Sequence, residues 1–133
     1  MSATAELVRR GAAAFAAGDV GTLREILAPD VEHAVPGTSA LAGTHQGREE
    51  VIALYARMAE ISGGTFRSRV HHLMSDGADR VIMTYRASAR RYRQVLDTES
   101  ALVCTVHDGR ITRVEEYVGD LAGYDEFWGR PNE

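Results

Sequence analysis

Leu7, Val8, Ala12, Phe15 and Ala16 recur at helical spacing, so the chain opens with an amphipathic helix capped by Ser2 or Thr4 and stopped at Gly18. Asp19 caps a second, short helix from Val20 to about Leu27, which stops at Ala28-Pro29 because the residue before a proline is pushed out of the helical region. Val31 to Val35 alternates as a brief strand, and Pro36-Gly37 opens a loop of small and polar residues that reaches Gly47. A third helix runs from Arg48 to Ile61 with an apolar stripe of Val51, Ile52, Leu54, Tyr55 and Met58, and Ser62-Gly63-Gly64 ends it. Beyond this point the period changes from 3.6 to 2. Strands are predicted at Thr65 to Met74, Arg80 to Ala89, Val95 to His107 and Arg110 to Val118, joined by turns at Asp76-Gly77, Arg91 to Gln94 and Asp108-Gly109. Asp120 then caps a terminal helical turn ending near Phe127-Trp128.

Three helices followed by an antiparallel meander predict an α+β fold: one domain over residues 1–133, with the helices packed on the concave face of a strongly curved sheet. Long strands bent around helices leave a cone-shaped cavity between the layers, which is the default ligand site. On the last strand, Thr112, Val114, Glu116 and Val118 share a face, opposite Ile111, Arg113, Glu115 and Tyr117. A carboxylate in a row that should be apolar points to a polar pocket inside the fold. Burial would raise the pKa of Glu116 toward the range of a general acid or base, unless a charged His33 lies close enough to pull it back.

Composition narrows the chemistry. The chain is 44% hydrophobic, enough for a real core at 133 residues, and its net charge of −4 argues against a nucleic-acid partner. Arg90, Arg91 and Arg93 read as a solvated hairpin tip. No apolar stretch is long enough to span a bilayer and no leader opens the chain, so a cytoplasmic location without a membrane partner is expected. All 15 basic residues are arginine, which removes lysine Schiff bases and lysine general bases. Cys104, the single cysteine, sits in an apolar row with Leu96, Leu102 and Val106 and reads as a buried, inert thiol. Neither a glycine-rich phosphate loop nor a nicotinamide or flavin fingerprint is present, and no tight metal-ligand spacing occurs, so no cofactor and no metal are expected. What remains is chemistry by side chains alone, on proton transfers, additions, eliminations and ring openings or closures.

The candidates for that chemistry are few. His33 can accept a proton near neutral pH, and His72, on a face with Phe66, Val70 and Met74, is expected to point inward while His71 points out. His45, on the loop after Gly43-Thr44, could edge the pocket. Tyr55 and Tyr85 offer hydroxyls to hold a substrate oxygen, and core packing explains each of them equally well. Met83, Leu102, Val114 and Val118 supply an apolar lining.

A set of short motifs adds to this reading: Ala17-Gly18-Asp19, Asp30-Val31-Glu32-His33 with Pro36-Gly37, Leu41-Ala42-Gly43 with Gly47-Arg48, Asp108-Gly109-Arg110-Ile111, and Asp125-Glu126-Phe127-Trp128. Together they resemble the SnoaL-like branch of the nuclear transport factor 2-like superfamily across nearly the whole chain. The resemblance implies a cystatin-like α+β barrel. It leaves the reaction open among polyketide cyclases, steroid isomerases, epoxide hydrolases, dehydratases and binding-only members. It puts His33 at or near the aspartate base of ketosteroid isomerase and Tyr55 at a pocket tyrosine, with Gly11 and Leu102 where those enzymes carry their oxyanion tyrosine and protonated aspartate. Against limonene-epoxide hydrolase, Glu116 falls on a catalytic aspartate of the last strand, with Met83 and Tyr85 in place of the partner arginine and aspartate.

The resulting expectation is an enzyme acting on a small, apolar, oxygenated molecule, with Glu116 and His33 as a proton-transfer pair on opposite walls of the cone and Tyr55 and Tyr85 holding the substrate oxygen. Its rivals are a binding-only module and a structural dimer whose cavity is filled by Met83, Leu102 and Trp128. A homodimer is expected in any case, because Ile111 and Tyr117 lie among charged residues on the outer face of the sheet.

Overall fold

In the computed structural model of the chain, which describes residues 2–131, Ser2 caps helix α1 (Ala3–Ala17), and its hydroxyl accepts the Ala5 N–H. Gly18, in the left-handed region at φ 66°, ends the helix, and Asp19 caps α2 (Val20–Ile26) through the Thr22 N–H. Strand β1 (Leu27–Val35) begins at once. It is longer than the alternation at Val31 to Val35 predicts, because Pro29 sits where the pairing with β6 breaks register and no ladder N–H is needed. The loop that follows contains a short edge strand, β2 (Gly43–Gln46), which carries no hydrophobic alternation that would announce it. Helix α3 (Arg48–Ile61) and strands β3 (Arg67–Ser75), β4 (Arg80–Arg91), β5 (Gln94–His107) and β6 (Arg110–Val118) fall where their periods predict. The expected terminal turn is a full helix, α4 (Leu121–Trp128), so the described helices number four rather than three.

The strands form one six-stranded curved sheet in the order β2-β1-β6-β5-β4-β3, with α1 and α3 packed across it and α4 against β5. It is antiparallel except between β1 and β6, which run parallel with His33 opposite Val114. That neighbour relation carries the site. Two bulges change which side chains face inward. Between Val70 and His72 the register with β4 slips by one residue, which turns Leu73 inward to Met83 and moves His72 and Met74 to the outer face. His72 is therefore exposed, against the expectation. Between Thr105 and Val106 the corresponding slip makes Thr112 the extra residue, so Ile111 joins Val114 and Glu116 on the inner face. Ile111 is buried and is lost to any outer surface, while Tyr117 stays exposed.

Helix α4 closes one end of the fold. Its Tyr124, Phe127 and Trp128, spaced three and four apart, are buried, and the Asp125 carboxylate accepts the N–H groups of Thr38 and Ser39 at 3.0 and 3.2 Å. Gly37 lets that loop approach: it has φ 91°, and a Cβ there would lie 2.1 Å from Asp125 Oδ1. Gly37→Ala should accordingly destabilise the fold by roughly 1–3 kcal/mol. Urea unfolding monitored at Trp128 measures this, and an unchanged midpoint would contradict the docking described.

Candidate active site

Glu116 is inward, as its row on β6 implies, and it meets Leu102 across the β5 ladder. Only 7% of Glu116 and 3% of His33 is exposed, so neither polar group can be satisfied by bulk water. They satisfy each other: His33 Nε2 lies 2.6 Å from Glu116 Oε1. The two residues thus stand on adjacent strands in direct contact, not on opposite walls of the cone, because β1 inserts beside β6. The second oxygen, Oε2, accepts the Tyr124 O–H at 2.6 Å, and His33 Nδ1 lies 2.8 Å from the Tyr55 hydroxyl. A continuous chain of hydrogen bonds results, from Tyr55 on α3 through His33 and Glu116 to Tyr124 on α4.

Proton bookkeeping limits how this chain can be arranged. With Glu116 ionised, His33 Nε2 must carry a hydrogen and donate it. Nδ1 then either accepts from the Tyr55 O–H or, in a cationic imidazole, donates to the Tyr55 oxygen. With Glu116 protonated, Nε2 accepts and Nδ1–H donates to Tyr55, which frees the phenolic O–H to point elsewhere. Tyr55 is thus a switchable end: it can present an acceptor or a donor.

What it presents to is a cavity of about 80 Å³ lined by Val8, Phe15, Met83, Leu102 and Val114 among other apolar side chains, together with His33, Tyr55, Tyr85, Cys104 and Glu116. No arginine is among the lining residues. Phe15, which meets Tyr55 edge-on at 5.2 Å and Phe66 edge-on at 5.7 Å, lines both this chamber and an outer cleft of about 500 Å³ between the helices and β3. Leu23, Tyr55, Phe66 and Ser68 are likewise common to both, so the three rings stand in the wall that the two spaces share. The interior holds its other ionisable groups neutral. Burial, first of all, pushes the phenols of Tyr55 and Tyr85 far above their ordinary value, with Cys104 and Glu116 adding at Tyr55 and Glu116 at Tyr85. Tyr124 is raised by burial and by Glu116, and burial pushes the Cys104 thiol up to about 12.

Of the residues singled out from sequence, His33, Glu116, Tyr55, Tyr85, Met83, Leu102 and Val114 line this chamber. Val118 shares the inner face opposite Ser100 but lies outside the lining. His72 is on the outer face, and His45 is occupied by the loop, its Nε2–H donating to the Leu41 carbonyl at 2.7 Å. Tyr124 escaped sequence reasoning. Its signal was the Tyr124, Phe127, Trp128 spacing after the Asp120 cap, which marks one buried helix face. Among the described residues no group of three or more His, Cys, Asp or Glu is placed to hold a metal ion, and no helix is long and apolar enough to cross a membrane.

Known proteins share this fold. Residues 8–114 match the family described as SnoaL-like domain. An uncharacterized protein of Mycobacterium tuberculosis is 42% identical over 123 residues, 92% of this chain and 94% of that protein. The structure of Bal32a from a soil-derived mobile gene cassette superposes with a TM-score of 0.91 at 39% identity, covering 95% of this chain and 96% of that one. A protein of unknown function with cystatin-like fold from Xanthomonas campestris gives 0.90 at 32% identity, covering 96% and 98%.

The neutral interior sets a pH dependence. The Cys104 thiol and the phenols of Tyr55, Tyr85 and Tyr124 are all raised from ordinary values of 9.0 and 10.0. In the unfolded chain these groups ionise first, so the stability they confer is full below pH 9 and is lost as pH rises through the folded values. The urea midpoint should fall steadily as pH rises above about 9, and native Cys104 should resist a thiol-disulfide reagent at about pH 8. A flat midpoint with rapid labelling would contradict the burial described.

Proposed function

The chain belongs to the SnoaL-like domain family, and from that premise we propose that it is a small-molecule enzyme working by general acid-base catalysis, of the isomerase, cyclase or epoxide-hydrolase kind. Its substrate is an apolar molecule bearing an oxygen. The observation that carries this reading is the His33–Glu116 contact of 2.6 Å continued to Tyr55 at 2.8 Å, beside an apolar chamber that shares five lining residues with an outer cleft. An imidazole and a carboxylate spaced for proton transfer, with a neutral phenol at the end, supply what such reactions need: a group to polarise an oxygen and a pair to take up or return the proton. Both nitrogens of His33 are engaged within the protein, so Tyr55 is the group that meets the substrate oxygen. His33 and Glu116 set which way its hydroxyl points and hold the exchangeable proton. Tyr85, also facing the chamber, offers a second hydroxyl for the same oxygen.

The chamber volume of about 80 Å³ favours small rings, and cyclic ketones and epoxides are the appropriate probes. In deuterated water the protein should accelerate exchange at the carbon beside a ring carbonyl, or open an epoxide. Glu116→Gln should lower that rate roughly 100-fold or more, and Tyr55→Phe by a similar order. Variants that turn over at the wild-type rate would refute the acid-base assignment.

A second reading, a binding-only module, is favoured by the internal satisfaction of His33, which needs no ligand to complete its hydrogen bonds. In that case Glu116→Gln would leave ligand affinity nearly unchanged and no probe would react.

We also propose a homodimer through the outer sheet face. Met74, Ile82 and Val103 stand side by side across three strands there, with Tyr117 nearby, so the face keeps an apolar row although Ile111 is buried. Light scattering at micromolar concentration should give twice the chain mass of 14.5 kDa, and Ile82→Asp should shift it toward the monomer. A monomer mass for the wild type would contradict this.

A further inference from the structure

The outer cleft has a charge at its rim. Among the described residues that line it, Arg67 is the only charged one; most of the others, including Phe15, Val20, Ile52 and Ala56, are apolar. Arg67 is held in place by its Nη1, which donates to the carbonyls of Gly64 and Phe66 at 2.9 and 2.8 Å. Its Nε–H and Nη2 hydrogens remain for another acceptor. Arg24, Arg86 and Arg113 pair with carboxylates of the protein. Arg67 has no such partner within ion-pair distance among the described residues.

Position gives this cation a meaning. Tyr55 and Ser68 line both the cleft and the inner chamber, and Tyr55 ends on His33. A ligand with its oxygen on Tyr55 and its body in the cleft would lie against Phe15 and Phe66, which border both spaces and offer aromatic surface to a flat apolar group. The far end of such a body emerges in the cleft that Arg67 borders. A guanidinium anchored at one nitrogen and free at two others matches the planar, two-oxygen geometry of a carboxylate.

We propose that Arg67 is a specificity residue for the acidic end of the ligand: the molecule taken by this protein is an amphipathic acid, flat and apolar in the middle, with an oxygen at the Tyr55 end and a carboxylate at the Arg67 end. The proposal rests on the reading of the inner chamber as a ligand site and adds the second pole of the ligand to it.

A matched pair of fluorescent probes tests the two poles separately. 6-Hydroxy-2-naphthoic acid carries a hydroxyl and a carboxylate at opposite ends of a flat body, and its methyl ester keeps the shape without the charge. Titration into wild-type protein should show the acid binding about fivefold or more tighter than the ester, with the preference shrinking as salt is raised. Arg67→Gln should bring the acid-to-ester ratio to about one, and Arg67→Lys, which keeps the charge without the fork, should retain part of it. A purely structural role in the Gly64 turn would weaken both probes alike and leave the ratio unchanged, which would overturn the proposal. An equal affinity for both probes in the wild type, while ester binding still responds to Tyr55→Phe, would overturn the Arg67 assignment and spare the inner site. Binding of both probes that ignores Tyr55→Phe and His33→Ala, or no binding of either at millimolar concentration, would count against the inner site and the Arg67 proposal together.

Discussion

One buried carboxylate organises this protein. Glu116 sits on an inward row between Val114 and Val118, where an unpaired charge would cost several kcal/mol, and two donors from two other elements meet it there. His33 comes from β1, which is beside β6 only because the first strand inserts in parallel at that edge of the meander. Tyr124 comes from α4, which is held down by Asp125 and by the glycine at position 37. The same contacts that make the carboxylate tolerable also fix the relative placement of β1, β6 and α4. Removing one partner would leave the other buried and unmatched, at a cost of about 3–5 kcal/mol. Stability and chemistry therefore draw on the same atoms.

The enclosure has an electrostatic consequence. With His33, Glu116 and Tyr124 all buried, the polar chain lies in surroundings from which water is largely excluded. Charge interactions there are stronger than at the surface, and the phenols are kept in their neutral form, able to donate. The surface arginines and acids instead pair with one another across the outer sheet face, as Arg86 does with Asp97 and Glu99, and Arg113 with Glu32 and Glu115. Such pairs, exposed at Arg86 and half-buried at Arg113, contribute little singly. The fold separates a solvated ionic exterior from an interior with a single acid-base chain.

Much of this is legible in the residue pattern because it is local. The caps at Ser2 and Asp19, the stop at Gly18, the stripe of α3 and the Asp108-Gly109 turn, with φ of 51° and 74°, follow from a few neighbouring residues each. Alternation along β6 is enough to turn Glu116 inward. What was not legible depends on partners distant in sequence. The bulges that expel His72 and turn Ile111 inward exist only in the pairing of two strands, and neither strand carries a glycine or proline at the slip. The adjacency of His33 and Glu116 rests on a strand pairing across 83 positions. Tyr124 was hidden by its helix, whose short length made it read as a turn. The family resemblance placed His33 and Glu116 at functional positions, yet only the strand order brings them into contact.

The central claim is that Tyr55, His33, Glu116 and Tyr124 form one continuous hydrogen-bonded chain, and nuclear magnetic resonance of the histidine ring reads it without a substrate. With ¹⁵N-labelled histidine, the account predicts a slowly exchanging, downfield ring N–H proton assigned to His33, absent in His33→Ala and shifted both by Tyr55→Phe at one end and by Tyr124→Phe at the other. A His33 ring whose protons exchange freely with solvent, or whose resonances ignore both tyrosine substitutions, would contradict it.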